Sequence, residues 1–517
     1  MGRNRNPNIQ KSDWTAWSTE IRSAEVERLD SMRCEIGRSC RISMPKNPHR
    51  SGATMIVDRY DPVNLFELVP KLNLQFEPEL AHLDRLLDDD ELFNLVKADL
   101  LKRHPNSGRC GRHSTPVEVI LRMLIVKRLY NFSYEQTQRF VNESIVLRQF
   151  CRLYLEKVPD DTTLIRWANV IGPETVASLN DRAVQLARSL KVTRGRKLRI
   201  DGTVVETNIH HPTDDTLISD GVRVVGRLLM RAKSFMQESV LSKQKGEPFR
   251  NRTRSAKRLA HKISKMALRR SQDAKTGYRA AYERLLAVGK ATIRQAGRVG
   301  ALLEEAPSAH GISEEISRFS ELLEWALWQA QRRVLEGERL ESKEKLLSLF
   351  ESHTTIIRRG KARKQTEFGR KVWLSEVDGG IVSAFWILEG NAGDEAQLQP
   401  SLDDHLRQFG GPPQLVAADR NVHSKENERL AKEMGVKKVC LPKAGNKSAE
   451  REEYEGQGWY KRARRFRAGI EGRISVMKRR EYLGRCRDKG EEGFGRWVGW
   501  GVLTANLETM TRTLAAR

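Results

Sequence analysis

Residues that read as β-strand fall into two blocks far apart in the chain, and that separation limits the architecture more than any other feature. The first block is LRIDGTVVETNI, a β-branched run beginning at Leu198. The second begins after residue 370, with KVWLSEVDGG and IVSAFWIL joined by an Asp378-Gly379 turn, followed by PPQLVAAD and VKKVCLP. Between the blocks, from about 223 to 358, the texture is helical and cation-rich, as in KRLAHKISKMALRR and SRFSELLEWALWQAQRRVLEGERL. One sheet can draw on both blocks if the intervening stretch stands off it, so an α/β core with a long helical insertion is expected.

Helical signals also precede the first block, from about 75 to 190. Thr115-Pro-Val-Glu118 combines an N-cap Thr, a Pro at the first helical position and a Glu three residues after the cap. Apolar Val117, Ile120, Leu121, Leu124 and Ile125 follow, which predicts an amphipathic helix. Ser133 to Gln136 repeats the capping pattern, and Pro159-Asp160-Asp161 opens TTLIRWANVI, closed by Gly172-Pro173. Short helices with tight turns make a small bundle. Arg139, Arg148, Arg152 and Arg166 suit either phosphate contacts or a solvated basic surface. Residues 1–54 are polar and basic without a sustained period and are expected to be a flexible extension, with Met55 or Met44 as the expected translation start. Helices return from about 460 onward.

The charge balance narrows the partner. The 517 residues, roughly three domains' worth of chain, include 92 Lys and Arg against 67 Asp and Glu, a net charge of +25 that attracts polyanions and puts nucleic acid first. A hydrophobic fraction of 39% argues against wholesale disorder. No run of 18 or more apolar residues occurs, which excludes a membrane-spanning helix, and MGRNRNPNIQ lacks the apolar core of a signal peptide. Cysteines 34, 40, 110, 151, 440 and 486 show no repeated ligand spacing, so free thiols in a reducing cytosol are expected.

Two carboxylates sit where an apolar strand has little use for them: Asp201 in KLRID and Asp419 at the end of QLVAAD. A divalent cation would offset their desolvation; capping of a turn or following helix is the other reading. RRFRAGIEGRISVMKRR adds Arg467, Glu471 and Lys478, which residue spacings of four and eleven place on one helix face. Such a face can aim Glu471 at a metal with cations on either side for phosphates, or it is a surface ladder of charges. Other candidates have simpler readings. His210-His211 with Asp214-Asp215 reads as a loop, Glu206 as a substitute acid, Gly393-Asp394 as a helix start, and Trp459-Tyr460 as a packed pair or a base-stacking platform.

In these contexts Asp201, Asp419 and Glu471 resemble the DDE triad of bacterial insertion-sequence transposases, whose catalytic domain has an RNase H-like fold. Arg467, Glu471 and Lys478 are similar to the R-x3-E-x6-K part of a Y-x2-R-x3-E-x6-K signature, with Arg464 at the Tyr position. GRHSTPVEVILRMLIVKRLYNFSYEQ and VPDDTTLIRW are similar to the InsH-type N-terminal domain of the same enzymes, and DGTVVETNIHHPTDDTLISDGVRVVGRL to their first catalytic strand and its sequel. The resemblance implies an RNase H-like mixed sheet flanked by helices, an all-α N-terminal domain and a long helical insertion. Its divisions would be 1–54 as extension, 55–190 as helical DNA-binding domain, 191–222 with 359–517 as catalytic domain, and 223–358 as insertion. It further implies binding of terminal inverted repeats and metal-dependent cleavage and strand transfer. Asp201, Asp419 and Glu471 would be both catalytic residues and ligands of two Mg²⁺ ions, for which Mn²⁺ can substitute, and Arg467 and Lys478 would bind DNA. The implied partners are double-stranded DNA and a second copy of the chain, in the cytoplasm at the nucleoid. Two alternatives stay open: a transposase-derived DNA-binding protein without catalysis, and a nuclease that cuts without joining.

Overall fold

The computed structural model describes residues 59, 76–103, 115–235, 249–267, 269, 271–303, 309–358, 366–390 and 392–517. The extension 1–54, its two candidate start codons and cysteines 34, 40 and 110 lie outside the described residues.

Helices α1 (Pro78–Leu86), α2 (Asp90–Leu101), α3 (Val117–Leu129), α4 (Tyr134–Glu143), α5 (Ile145–Phe150), α6 (Asp161–Val170) and α7 (Pro173–Ser189) form the N-terminal bundle. Its boundaries follow local chemistry. Ser133 and Gln136 close a reciprocal capping box on α4, Asp160 caps α6, and Pro173 opens α7 after Gly172. The start of α3 differs from the sequence expectation: Pro116 takes the cap position and no side chain caps it. Nor is α3 amphipathic, since every residue from Val117 to Val126 is buried. It runs through the middle of the bundle, and Glu118, the expected capping acid, pairs with Arg122 instead. Arg148 and Arg152 are also spoken for. Arg148 donates to the carbonyls of Tyr154 and Glu156, and Arg152 pairs with Asp84, Asp88 and Glu118, so neither is a free phosphate ligand.

Strand β1 (Lys197–Glu206) leads into the insertion, made of α8 (Asp214–Ala232), α9 (Thr253–Ala267), α10 (Gln272–Leu303) and α11 (His310–Ala330). These helices have a core of their own, including Ile218, Val225, Leu285, Val299 and Leu323. Glycine permits the close crossings: a Cβ at Gly221 would stand 2.7 Å from Leu323, and one at Gly289 would stand 2.6 Å from Leu327. The helical part begins nearer β1 than the sequence texture suggested, at Asp214. It also ends sooner, because β2 (Thr355–Arg358) belongs to the sheet. Only four residues long, β2 carries too little pattern to stand out from its helical surroundings.

The sheet is completed by β3 (Thr366–Val377) and β4 (Ile381–Ile387), the expected hairpin, then α12 (Leu398–Phe409), β5 (Leu415–Ala417), α13 (Lys425–Glu433), β6 (Lys438–Cys440), α14 (Ala449–Gly456), α15 (Gly458–Arg479) and α16 (Gly490–Ala515). Its order is β2-β3-β1-β5-β6, with β4 also pairing β3. β2 takes Thr366–Gly369 and β4 takes Val372–Val377, so the two share the edge of β3 opposite β1. β3 is antiparallel to β1, whereas β5 and β6 run parallel to it. Bundle and sheet share a continuous core in which Ile120 and Leu179 join Leu198, Ile200, Trp373 and Val377. The C-terminal α16 packs against α7, α1 and β4, and Asn506 both accepts from Val382 N and donates to Val382 O.

Candidate active site

Parallel pairing of β1 with β5 sets Leu198 against Val416 and Arg199 against Ala417. Two residues on, the same register brings Asp201 beside Asp419, although β5 itself has ended and Asp419 caps the short helical turn Arg420–Val422. The capping reading of Asp419 therefore holds, and the residue also stands just past the carboxyl end of a strand, where open sheets gather ligands. Each aspartate anchors one oxygen on the next backbone N–H. Asp201 Oδ1 accepts from Gly202 N at 2.8 Å, and Asp419 Oδ1 accepts from Arg420 N at 2.8 Å. The free Oδ2 atoms then turn to one nitrogen, Arg467 Nη2, at 3.2 Å and 3.8 Å. The two oxygens cannot be further apart than those distances together, 7.0 Å.

The same guanidinium holds the third acid, with Arg467 Nη1 donating to Glu471 Oε1 at 2.8 Å. Helix geometry explains why. Tyr460, Ala463, Ile470 and Met477 form the buried stripe of α15, and Arg467 falls on it between Ala463 and Ile470, where an apolar residue would ordinarily pack. A cation is tolerated there because carboxylates surround it. Glu471, one turn on, lies at the margin with its side chain 63% exposed. Lys478 is partly exposed about two turns further along the helix.

A second ion network fixes α15 over the sheet. Arg199 makes two bonds to Glu376 of β3, at 2.9 and 2.7 Å, and donates to the carbonyl of Phe466 at 2.6 Å. Arg473, near the far end of α15, approaches the same Glu376 at 3.5 Å. Gly469 makes room for this: a Cβ there would lie 2.1 Å from Arg199 Nη1.

Asp201 and Asp419 open onto a cleft of about 880 Å³ lined also by Asp394, Lys371 and Arg358 and by the loop returning from the insertion at Leu340–Ser342. Asp394 is the residue that sequence reasoning set aside. It does precede a short helical turn, Glu395–Gln397, but its side chain caps nothing and pairs with Lys371, another residue of the cleft lining. The usable signal was the expected strand IVSAFWIL followed by a helix start at Gly393-Asp394, which places Asp394 in the connection beyond the carboxyl end of β4. Gly202 keeps this wall close, since a Cβ there would stand 2.9 Å from Lys371 Cε. Burial raises the Asp201 carboxyl to about 6; the charges of Asp419 and Asp394 add to the rise, while Arg467 and the Gly202 N–H oppose it.

The donor set suits a hard divalent cation: carboxylate oxygens only, converging on one positive group. As placed, the guanidinium is that positive group, and among the described residues no three His, Cys, Asp or Glu stand together in metal-binding positions. A cation would take the acids over from Arg467.

The remaining candidates resolve simply. Glu206 ends β1 against the Gly484–Cys486 loop and does not line the cleft. His210 lies in the loop before α8, 3.7 Å from Asp220, while Asp214 accepts from Gln329 and Arg333 and Asp215 from Ser264. Trp459 and Tyr460 pack edge to face at 5.3 Å, with Tyr460 buried. Cys151, Cys440 and Cys486 are free and buried, and among the described residues no helix is long and apolar enough to cross a membrane.

Residues 63–169 match the transposase domain family (DUF772). The matched stretch covers the bundle from α1 to near the end of α6, including both capping signals, and stops before β1. It supports a transposase relationship from a part of the chain that contains none of the three acids. Neither a curated protein nor a solved structure matches the chain.

Proposed function

We propose that the protein is a DDE-type DNA transposase that binds the inverted repeats of its element, cuts at their ends and joins them to target DNA. The observation that carries this reading is the convergence of Asp201, Asp419 and Glu471, from three separate elements, on Arg467. The transposase domain match at 63–169 supports it independently. Strand order supports an RNase H-like core: β1 bears the first acid, an antiparallel neighbour lies on one side, and the parallel neighbour leads into the second acid.

In this reading the three acids would hold two Mg²⁺, with Mn²⁺ able to substitute, and the ions would supply Lewis acidity for an in-line phosphoryl displacement. Arg467, relieved of the acids, turns to a phosphate oxygen beside the scissile bond, and Lys478 holds another further along the helix. Asp394 holds Lys371 beside Gly202, next to the first acid. Hydrolysis at the element end breaks one phosphodiester and leaves a 3′-hydroxyl. Attack of that hydroxyl on target DNA forms one phosphodiester as it breaks another, so joining needs no external energy source. Pairing two ends calls for a homodimer.

Asp201→Asn, Asp419→Asn and Glu471→Gln are each expected to abolish cleavage while duplex binding stays within a few-fold of wild type, measured by gel-resolved cleavage and by fluorescence anisotropy. Retained cleavage by any one removes that residue from the site. Arg467 at the centre of the acids favours a second reading, a DNA-binding descendant without catalysis; a wild-type protein that binds element ends yet never cuts them with Mg²⁺ or Mn²⁺ would select it.

A further inference from the structure

The insertion carries a charged surface that the cleft does not use. Residues 248–272 contain nine Lys and Arg and no Asp or Glu. In α9 this composition becomes a face: Ala256, Ala260 and Ile263 are buried, whereas Arg254, Lys257, Arg258, His261, Lys262 and Lys265 are all exposed. At about 100° per residue the six exposed positions cover an arc of roughly 140° and about 16 Å of helix length. None of the six enters an ion pair among the described residues. Arg148 and Arg152 of the bundle, by contrast, are occupied by carbonyls and carboxylates.

A second cluster adjoins the start of α9. Arg252 donates to the side chain of Gln295, a buried residue of α10, and is thereby held in place. Burial, and then the charges of Arg250, Arg298 and Arg294, lower its pKa. Like charges gathered in this way repel, and a polyanion recovers that free energy. Gly297, exposed between Arg294 and Arg298, has no heavy atom within 4 Å of where a Cβ would lie, so the helix backbone there is open to an extended partner.

We propose that α9 and the adjoining Arg250, Arg252, Arg294 and Arg298 form a binding surface for the sugar–phosphate backbone of duplex DNA, separate from the catalytic cleft. The proposal rests on the transposase reading, in which the protein must grip duplex beyond the bond it cuts. A lipid surface fits less well, because the apolar face of α9 is packed against α8 and α10 and has nothing left to insert. Single-stranded nucleic acid fits less well too, because the outward face of α9 offers no Phe, Tyr or Trp for stacking, only the imidazole of His261.

The test uses the full chain carrying Lys257→Ala, Arg258→Ala, Lys262→Ala and Lys265→Ala together, with binding to a fluorescent duplex bearing an element end followed from about 0.05 to 0.2 M salt. Loss of four phosphate contacts is expected to flatten the slope of log affinity against log salt by about 3 to 4 and to weaken low-salt binding at least roughly tenfold. A variant with Lys257→Arg, Lys262→Arg and Lys265→Arg keeps the charge and is expected to bind as wild type, which separates lost contacts from lost folding. Unchanged slope and affinity in the alanine variant would overturn the proposal while leaving the transposase reading intact, provided the wild type binds and cuts. Loss of binding to phosphatidylserine vesicles or single-stranded RNA, with duplex binding unchanged, would also overturn it. Failure of the wild type to bind any DNA would defeat both.

Discussion

Arg122 is wholly buried, yet it donates to Glu118, to Asp84 and Asp88 and to the carbonyl of Phe150. Removing it leaves Glu118 and Asp84 sharing Arg152 in a region with little water, and breaking a buried ion pair from one side costs about 3–5 kcal/mol. Arg122→Ala is therefore expected to lower unfolding free energy by about that amount in urea titrations; a loss below about 1 kcal/mol would mean the acids find water instead. His405 makes a second residue-level prediction. Burial lowers its pKa from 6.5 to about 4. Between those values the unfolded chain binds a proton that the folded chain does not, so stability is full above 6.5 and lost as pH falls towards 4. His405→Phe should remove up to about 3 kcal/mol of that loss, seen as wild-type and variant stability curves that diverge below pH 6.5; parallel curves would show the imidazole is not held neutral. Neither role was legible in sequence, because partners come from afar: Asp84 and Arg122 are 38 residues apart, Asp84 and Arg152 are 68 apart. Asp201 and Asp419 stood out as candidates because a charge inside an apolar strand is visible locally, and Glu471 because its spacing from Arg467 and Lys478 sets the three on one helix face.

At the scale of elements, α15 is placed by a few contacts whose loss can be measured. The Gly469 backbone lies so near Arg199 that a methyl group must displace a guanidinium already held by Glu376 and Phe466 O. Gly469→Ala is expected to destabilise the protein by about 1–3 kcal/mol, as overpacking does, despite alanine's better helix propensity. Cleavage should fall with it, because Arg467 and Glu471 sit on the same helix; stabilisation with full activity would show that α15 is not positioned this way. Strands β1, β3 and β4 were readable from β-branched runs and the Asp378-Gly379 turn, and α15 from its charge spacing. β2 was too short to read. The central α3 carried a capping signal that its environment overrode, since a helix buried on all sides needs no polar face.

At the scale of the molecule, the sheet draws its strands from both sides of a helical insertion that has its own core, and the loop returning from that insertion forms part of the cleft wall. A transposase domain match in the bundle and an acidic site in the sheet thus occupy different parts of one chain. Three carboxylates brought together by β1, the end of β5 and α15 are proposed to perform both cutting and joining of DNA. The direct measurement incubates purified protein, beside an Asp419→Asn control, with Mg²⁺ or Mn²⁺, a target plasmid and labelled DNA carrying the inverted repeats that flank its gene. Metal-dependent end cleavage together with joined product, both absent in the control, is the predicted result. Folded, DNA-bound protein that yields neither product, or a control that yields both, would contradict the account.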